Sequence, residues 1–222
     1  MTAAASGLAT YDDLVQRCQD WLFGRTDIAA QVPTFIRLFE AKANRGLLCR
    51  QMETRAITTV DISSTEPEFL ALPNDFQTMR RVRLVGAAFP AKPRLRFATG
   101  AQIDDLRAKG PDVGQPIWFA LFGNEMELCP TPNAVIQVEM VYRVYLSPLS
   151  PAAQTNWLMA LAPDAYLYGA LMEAAPYLHD DERISVWSAG VQAAIGSLND
   201  LSDQALFNAG PLTMRRKGSG YS

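Results

Sequence analysis

The chain has 222 residues, 49% of them hydrophobic and 19% charged, with a formal net charge of −3. That length suits one large domain or one domain carrying an insertion, and the composition excludes wholesale disorder. The net charge alone points to neither a nucleic-acid nor a membrane partner, and no apolar run reaches the roughly 18 residues of a spanning helix.

Met1 to Thr10 is small and polar, with neither a basic region nor an apolar stretch of signal-peptide type, so a soluble protein is expected. Thr10 is a candidate helix N-cap, with Asp12 and Asp13 in the first turn, where the helix dipole favours acids. Leu14, Cys18, Trp21 and Leu22 follow at helical spacing, and Gly24 is expected to end that helix. A second helix opens near Pro33. Phe35, Ile36, Phe39, Ala43 and Leu47 form its apolar stripe, with Glu40, Lys42, Arg45 and Arg50 expected to face elsewhere.

From Arg55 the period changes to two. Ile57, Thr59 and Asp61 alternate with Thr58, Val60 and Ile62. Val82 and Leu84 alternate with Arg81, Arg83 and Val85, and Leu95 and Phe97 with Arg94 and Arg96. Thr99 is a candidate cap for a short helix closed by Gly110-Pro111. Gly123-Asn124 is a tight hairpin turn, and Val135 to Leu146 is the longest strand candidate. Beyond the turn-rich Ser147 to Pro151, helical sequence returns. Pro163 opens a helix with Tyr166, Leu167, Ala170, Leu171 and Ala174 on its apolar side. Asp180 or Asp181 caps another, striped by Ile184, Trp187, Val191, Ile195 and Leu198 and broken over Asn208 to Pro211. Thr213 to Ser222 is a basic, Gly/Ser-containing tail expected to be mobile in the isolated protein.

The expected fold class is α+β: a helical bundle built from both chain ends with an inserted antiparallel β-sandwich or barrel-like region. The expected divisions are 1–54 for the N-terminal helices, 55–150 for the β-rich insertion, 151–207 for the C-terminal helices and 208–222 for an extended tail. No internal repeat is visible.

Chemistry is harder to find. His179 is the single histidine and falls in a connection between helices, so an exposed loop residue is the simpler reading than a catalytic base. No G-x-S-x-G, glycine-rich phosphate loop or C-x-x-C is present. Cys18, Cys49 and Cys129 sit in apolar patterns and read as packing residues made in a reducing compartment. The acid pairs Asp12-Asp13, Asp104-Asp105 and Asp180-Asp181 lie near helix starts, where capping explains them without metal. No cofactor is implied.

Charge is unevenly distributed. Met79 to Gly110 holds eight basic residues and two acids; Ser150 to Gly210 holds seven acids and Arg183 as its only basic residue. Arg81, Arg83, Arg94 and Arg96 should share the exposed side of a sheet. As a solvated face they limit edge aggregation; as a functional one they meet a polyanion or an acidic face of another copy. No residue suggests base readout.

The order of segments carries a resemblance. Thr10 to Val15, Trp21-Leu22, Ile28 to Arg45, Met52-Glu53-Thr54, Leu72 to Phe76, Thr155 to Leu158, Ala162 to Leu178, Asp180 to Arg183 and Ala209 to Leu212 together resemble tailed-bacteriophage head-to-tail adaptor proteins. Matches are vague over Ala87 to Gly110. The resemblance implies a structural virion protein, not an enzyme, that forms a ring of twelve copies beneath the portal and extends the DNA channel. The implied partners are other copies of the chain, the portal protein, the next tail component (nozzle, stopper or tube protein) and packaged double-stranded DNA without sequence specificity. No membrane is implied; the chain would wait in the host cytoplasm before assembly. Pro211, Leu212, Met214, Arg215, Arg216 and Lys217 become the portal-docking tail. The rival readings are a more distal tail tubular or nozzle ring protein and a sequence-independent DNA-binding module; an unrecognised hydrolase lacks a nucleophile-base set.

Overall fold

The computed structural model describes residues 7–22, 28–178 and 183–207. The fold is α+β, and the chain divides into two compact units: one takes the chain up to Gln51 and again from Leu146, the other is Met52–Tyr145.

In the helical unit, α1 (Tyr11–Trp21) starts at a complete capping box. Thr10 Oγ1 accepts from the Asp13 amide at 3.1 Å, and the Asp13 carboxylate accepts from the Thr10 amide at 3.1 Å. Leu14, Cys18 and Leu22 are buried as the spacing requires, whereas Trp21 of the same expected stripe is 45% exposed. The expected stop at Gly24 lies outside the described residues. The second helix, α2 (Val32–Gly46), carries Pro33 in its first turn and buries Phe35, Ile36, Phe39 and Ala43. Among the described residues three helices follow the β region: α4 (Trp157–Leu161), α5 (Pro163–Leu178) and α6 (Ile184–Phe207), with α3 inside the other unit. The short α4, not anticipated from periodicity, is capped by Asn156, whose Oδ1 accepts from the Met159 amide at 2.9 Å.

The helices lock through aromatic contacts. Phe39 of α2 meets Tyr166 of α5 edge-on at 5.2 Å, and Trp21 of α1 meets Tyr168 at 6.2 Å. Gly169 permits the α2–α5 approach: a Cβ there would stand 2.1 Å from the Phe39 ring. On α6, Trp187, Val191 and Leu198 are buried, whereas Ile184 and Ile195 are half-buried. The expected caps Asp180 and Asp181, and His179, lie outside the described residues.

One expectation fails on α2. Glu40 does not face away but is buried. Its Oε1 accepts from the Leu149 amide at 2.8 Å and from the Tyr166 hydroxyl at 3.0 Å, and Asn156 Nδ2 donates to that hydroxyl at 2.6 Å. A carboxyl satisfied by two donors can be tolerated inside a helical core; helical spacing alone carries no sign of those donors.

In the second unit, β1 (Glu53–Val60), β9 (Ile136–Val144) and β3 (Phe76–Val85) form one antiparallel sheet in the order β1-β9-β3. The ten-residue β3 is longer than the nine-residue β9, contrary to expectation. The second sheet runs β2-β7-β6-β4, from β2 (Phe69–Ala71), β7 (Glu125–Cys129), β6 (Trp118–Phe122) and β4 (Arg96–Phe97). Its hairpin turns at Gly123, with φ 55°, between β6 and β7. Two short pairings are parallel: β4 with β6, and β5 (Val113–Gly114) with β8 (Thr131–Pro132). Val82, Leu84, Leu95, Leu128, Val138 and Met140 form the core between the sheets. The helix α3 (Gly100–Lys109) has the expected Thr99 capping box and ends at Gly110.

The segment from Pro93 to Ala98 joins the two sheets on one side. The Leu95 amide donates to Val82 O at 2.9 Å and the Leu84 amide to Pro93 O at 3.0 Å, alongside β3. The Arg96 and Ala98 amides then donate to Ile117 O and Phe119 O, both at 2.9 Å, alongside β6. This change of partner breaks the expected alternation. Leu95 points inward, but Phe97 is 60% exposed and Ala98 takes the inward place.

Candidate interaction surface of the β unit

The arginines of the middle segment separate into three groups. The first surrounds Glu139, on the outer face of β9 opposite Arg83 of β3 and Ile57 of β1. Only 1% of its side chain is exposed. Arg55 Nε lies 2.5 Å from one carboxylate oxygen, and Arg83 Nε lies 2.5 Å and Arg81 Nη2 3.7 Å from the other. The Arg83 hydrogen bond, then Arg55, holds the Glu139 carboxyl below the usual carboxylate range, against burial, which pushes the other way. Three cations meet one anion here, so the cluster keeps a positive excess. Arg80 pairs separately with Glu53 at 2.8 Å.

The second group is structural. Arg107 of α3 reaches the strands beneath it: its guanidinium donates to Glu127 at 2.9 Å, Thr131 Oγ1 at 2.9 Å, Asp112 at 3.0 Å and Leu128 O at 3.2 Å. One fork-shaped side chain ties α3 to β7 and β8, a role for which nothing in its local sequence is diagnostic.

The third group is a groove. Between β3 and the crossing segment lies a cavity of about 530 Å³ whose rim carries Arg80, Arg81, Arg94 and Arg96. Its floor includes the buried Val82, Leu95 and Phe119, and no acidic side chain lines it. Arg94 sits in a single antiparallel bridge with Arg83, and the Arg96 guanidinium lies 5.3 Å from the centre of the Trp118 ring.

The four arginines singled out from sequence are therefore not equivalent. Arg81 and Arg83 belong to the three-stranded sheet and Arg96 to the four-stranded one, with Arg94 between them. Arg83 is engaged with Glu139, while Arg94, Arg96 and part of Arg81 border the groove. The expected docking residues Pro211, Leu212, Met214, Arg215, Arg216 and Lys217 lie outside the described residues. Cys18, Cys49 and Cys129 are all buried, and burial pushes the Cys18 thiol up to about 12. Among the described residues no group of three His, Cys, Asp or Glu side chains is placed to hold a metal, and no helix is long and apolar enough to cross a membrane.

A family model described as SU10 adaptor protein matches residues 9–215, nearly the whole chain. No curated protein matches. The chain belongs to the SU10 adaptor protein family, whose members are phage head-to-tail adaptors.

Proposed function

Proceeding from that family membership, we propose that the chain joins the portal of a filled capsid to the tail as a ring of twelve copies. The ring would prolong the channel through which double-stranded DNA passes, without reading its sequence. The match across residues 9–215 is the observation that carries this reading. It works by assembly rather than by chemistry.

By the resemblance, the tail from Pro211 onward docks on the portal, with Arg215, Arg216 and Lys217 supplying a short cationic arm, and the helical part sits between portal and tail. The next tail component, a nozzle, stopper or tube protein, binds on the far side of the ring. Before assembly the chain waits in the host cytoplasm.

The test mixes the purified chain with portal rings of the same phage, with and without residues 211–222, and examines the products by electron microscopy. A ring added at the outer end of the portal, lost on deleting the tail, is the expected result. No added ring on intact portals refutes the portal-joining role and favours a more distal tail ring.

A further inference from the structure

We propose that the arginine-rimmed groove receives the acidic loop 61–68 of the neighbouring copy, so that each subunit carries both halves of its ring contact on opposite sides of the β unit. This rests on the ring-forming reading above and names the surfaces that close the ring.

The groove selects for two features at once. Its rim is cationic, its floor apolar, and no carboxylate lines it. Duplex DNA offers phosphates but no apolar side chain to cover the 60%-exposed ring of Phe97 in the groove's lining. An acidic protein segment carrying exposed apolar residues satisfies both features.

The chain contains such a segment. From Ala56 to Met79 there are four acids, Asp61, Glu66, Glu68 and Asp75, and no basic residue. Residues 61 to 66 are all exposed, and the segment presents Ile62 (42% exposed) and Phe69 (36%) beside its acids. The loop is already shaped. The Ser63 amide donates to Asp61 Oδ1 at 2.9 Å, the Phe69 amide to Glu66 O at 3.2 Å, and the Leu128 amide to Glu68 O at 2.8 Å. A pre-shaped loop loses little freedom on docking.

Topology shows why the contact runs between copies. The loop connects β1 to β2, and each is the edge strand of its sheet farthest from the crossing segment, in the orders β1-β9-β3 and β2-β7-β6-β4. The groove lies on the opposite side, where residues 93 to 98 join β3 to β6. Along β9 the loop leaves beyond the Val60–Ile136 pair, whereas Arg81 stands opposite Val141. At about 3.3 Å per residue that is a further ~17 Å along the sheet. A chain therefore cannot seat this loop in its own groove. Two different complementary faces on opposite sides are what a head-to-tail contact needs, and such contacts close into rings when the rotation allows.

The test uses two full-length variants: Arg94→Glu with Arg96→Glu, and Glu66→Arg with Glu68→Arg. Ring formation on portals is scored by electron microscopy across concentration. Each variant alone meets like charge at every contact, so the concentration for half-assembly should rise on the order of tenfold or more. An equimolar mixture should recover assembly, because alternating copies then pair the natural charges at one contact and the reversed charges at the next. Recovery also shows that both variants are folded. Wild-type assembly by either variant alone overturns the inference, as does a mixture that fails to recover, while wild-type rings on the same portals leave the adaptor reading standing. Should Arg94→Glu with Arg96→Glu abolish a salt-dependent affinity for duplex DNA without affecting assembly, the groove's ligand is the phosphate backbone and the inference falls. Failure of the wild-type chain to form any ring overturns both readings.

Discussion

Replacing Glu139 by Gln tests whether the arginines around it are held by the fold or merely lie on its surface. Gln keeps the volume and an acceptor, so no cavity opens and the loss is that of one charge. Removing one member of a fully buried charge set costs about 3–5 kcal/mol where the partners cannot escape. Here Arg55 and Arg81 keep 58% and 44% of their side-chain exposure, so they can turn to water. Their shares fall to the ~0.2–1 kcal/mol of surface pairs. Arg83, 26% exposed, cannot turn away as freely, and its charged hydrogen bond contributes ~1.5–3 kcal/mol. The expected loss is about 2–5 kcal/mol at neutral pH. The pH dependence follows from linkage. The folded carboxyl is held below its ordinary value of 4.5, so its stabilisation is fully present above that value and lost as pH falls through the depressed one. Wild type and variant should therefore converge in acid. Because two units unfold within one chain, the readout is hydrogen exchange of the peptide covering 136–144, compared at neutral and acidic pH. A loss below about 0.5 kcal/mol at neutral pH, with a gap that does not narrow in acid, refutes the reasoning.

Three further outcomes are expected. For Glu40, burial pushes the carboxyl up against the lowering pulls of the Leu149 amide, Tyr166 and Arg37. Its stabilisation is therefore fully present below the ordinary carboxylate value and falls as pH rises through the raised one; Glu40→Gln should remove that fall, whereas Glu40→Ala should cost about 2–4 kcal/mol by stranding two donors. Urea titrations across pH check both, and equal pH profiles for wild type and Glu40→Gln would refute the shift. Gly169→Ala should cost about 1–3 kcal/mol, since the new methyl meets the fully buried Phe39 ring; an unchanged melting temperature would show that the ring can yield. Arg107→Lys should cost about 2 kcal/mol, because a single ammonium cannot replace the fork that reaches Glu127, Asp112 and Thr131 together. Faster hydrogen exchange in residues 100–109 is the signature, and unaltered exchange there would deny the tethering role.

Much of the local structure was determined by residues acting on their near neighbours. Thr10 and Thr99 cap helices because their hydroxyls reach amides three residues on. The Gly123 turn follows from glycine's access to positive φ, and the apolar stripes of α2 and α5 from a period of 3.6, which the chain carries wherever it is placed. The resemblance to phage adaptors was equally legible, because the order of short segments is a property of the chain. What sequence left undetermined was every pairing between distant residues. Glu40 looked like a surface carboxylate because its donors, Leu149 and Tyr166, are 109 and 126 positions away. Arg81, Arg83, Arg94 and Arg96 looked like one alternating face, yet residues 93 to 98 pass from β3 to β6 and change neighbours on the way. That crossing turns Phe97 outward, leaves Arg83 with Glu139 and sets Arg94 and Arg96 on the rim of a groove. A period of two records which side of a strand a residue occupies, but which strand lies beside it is settled only by long-range hydrogen bonding and by the burial of a shared core.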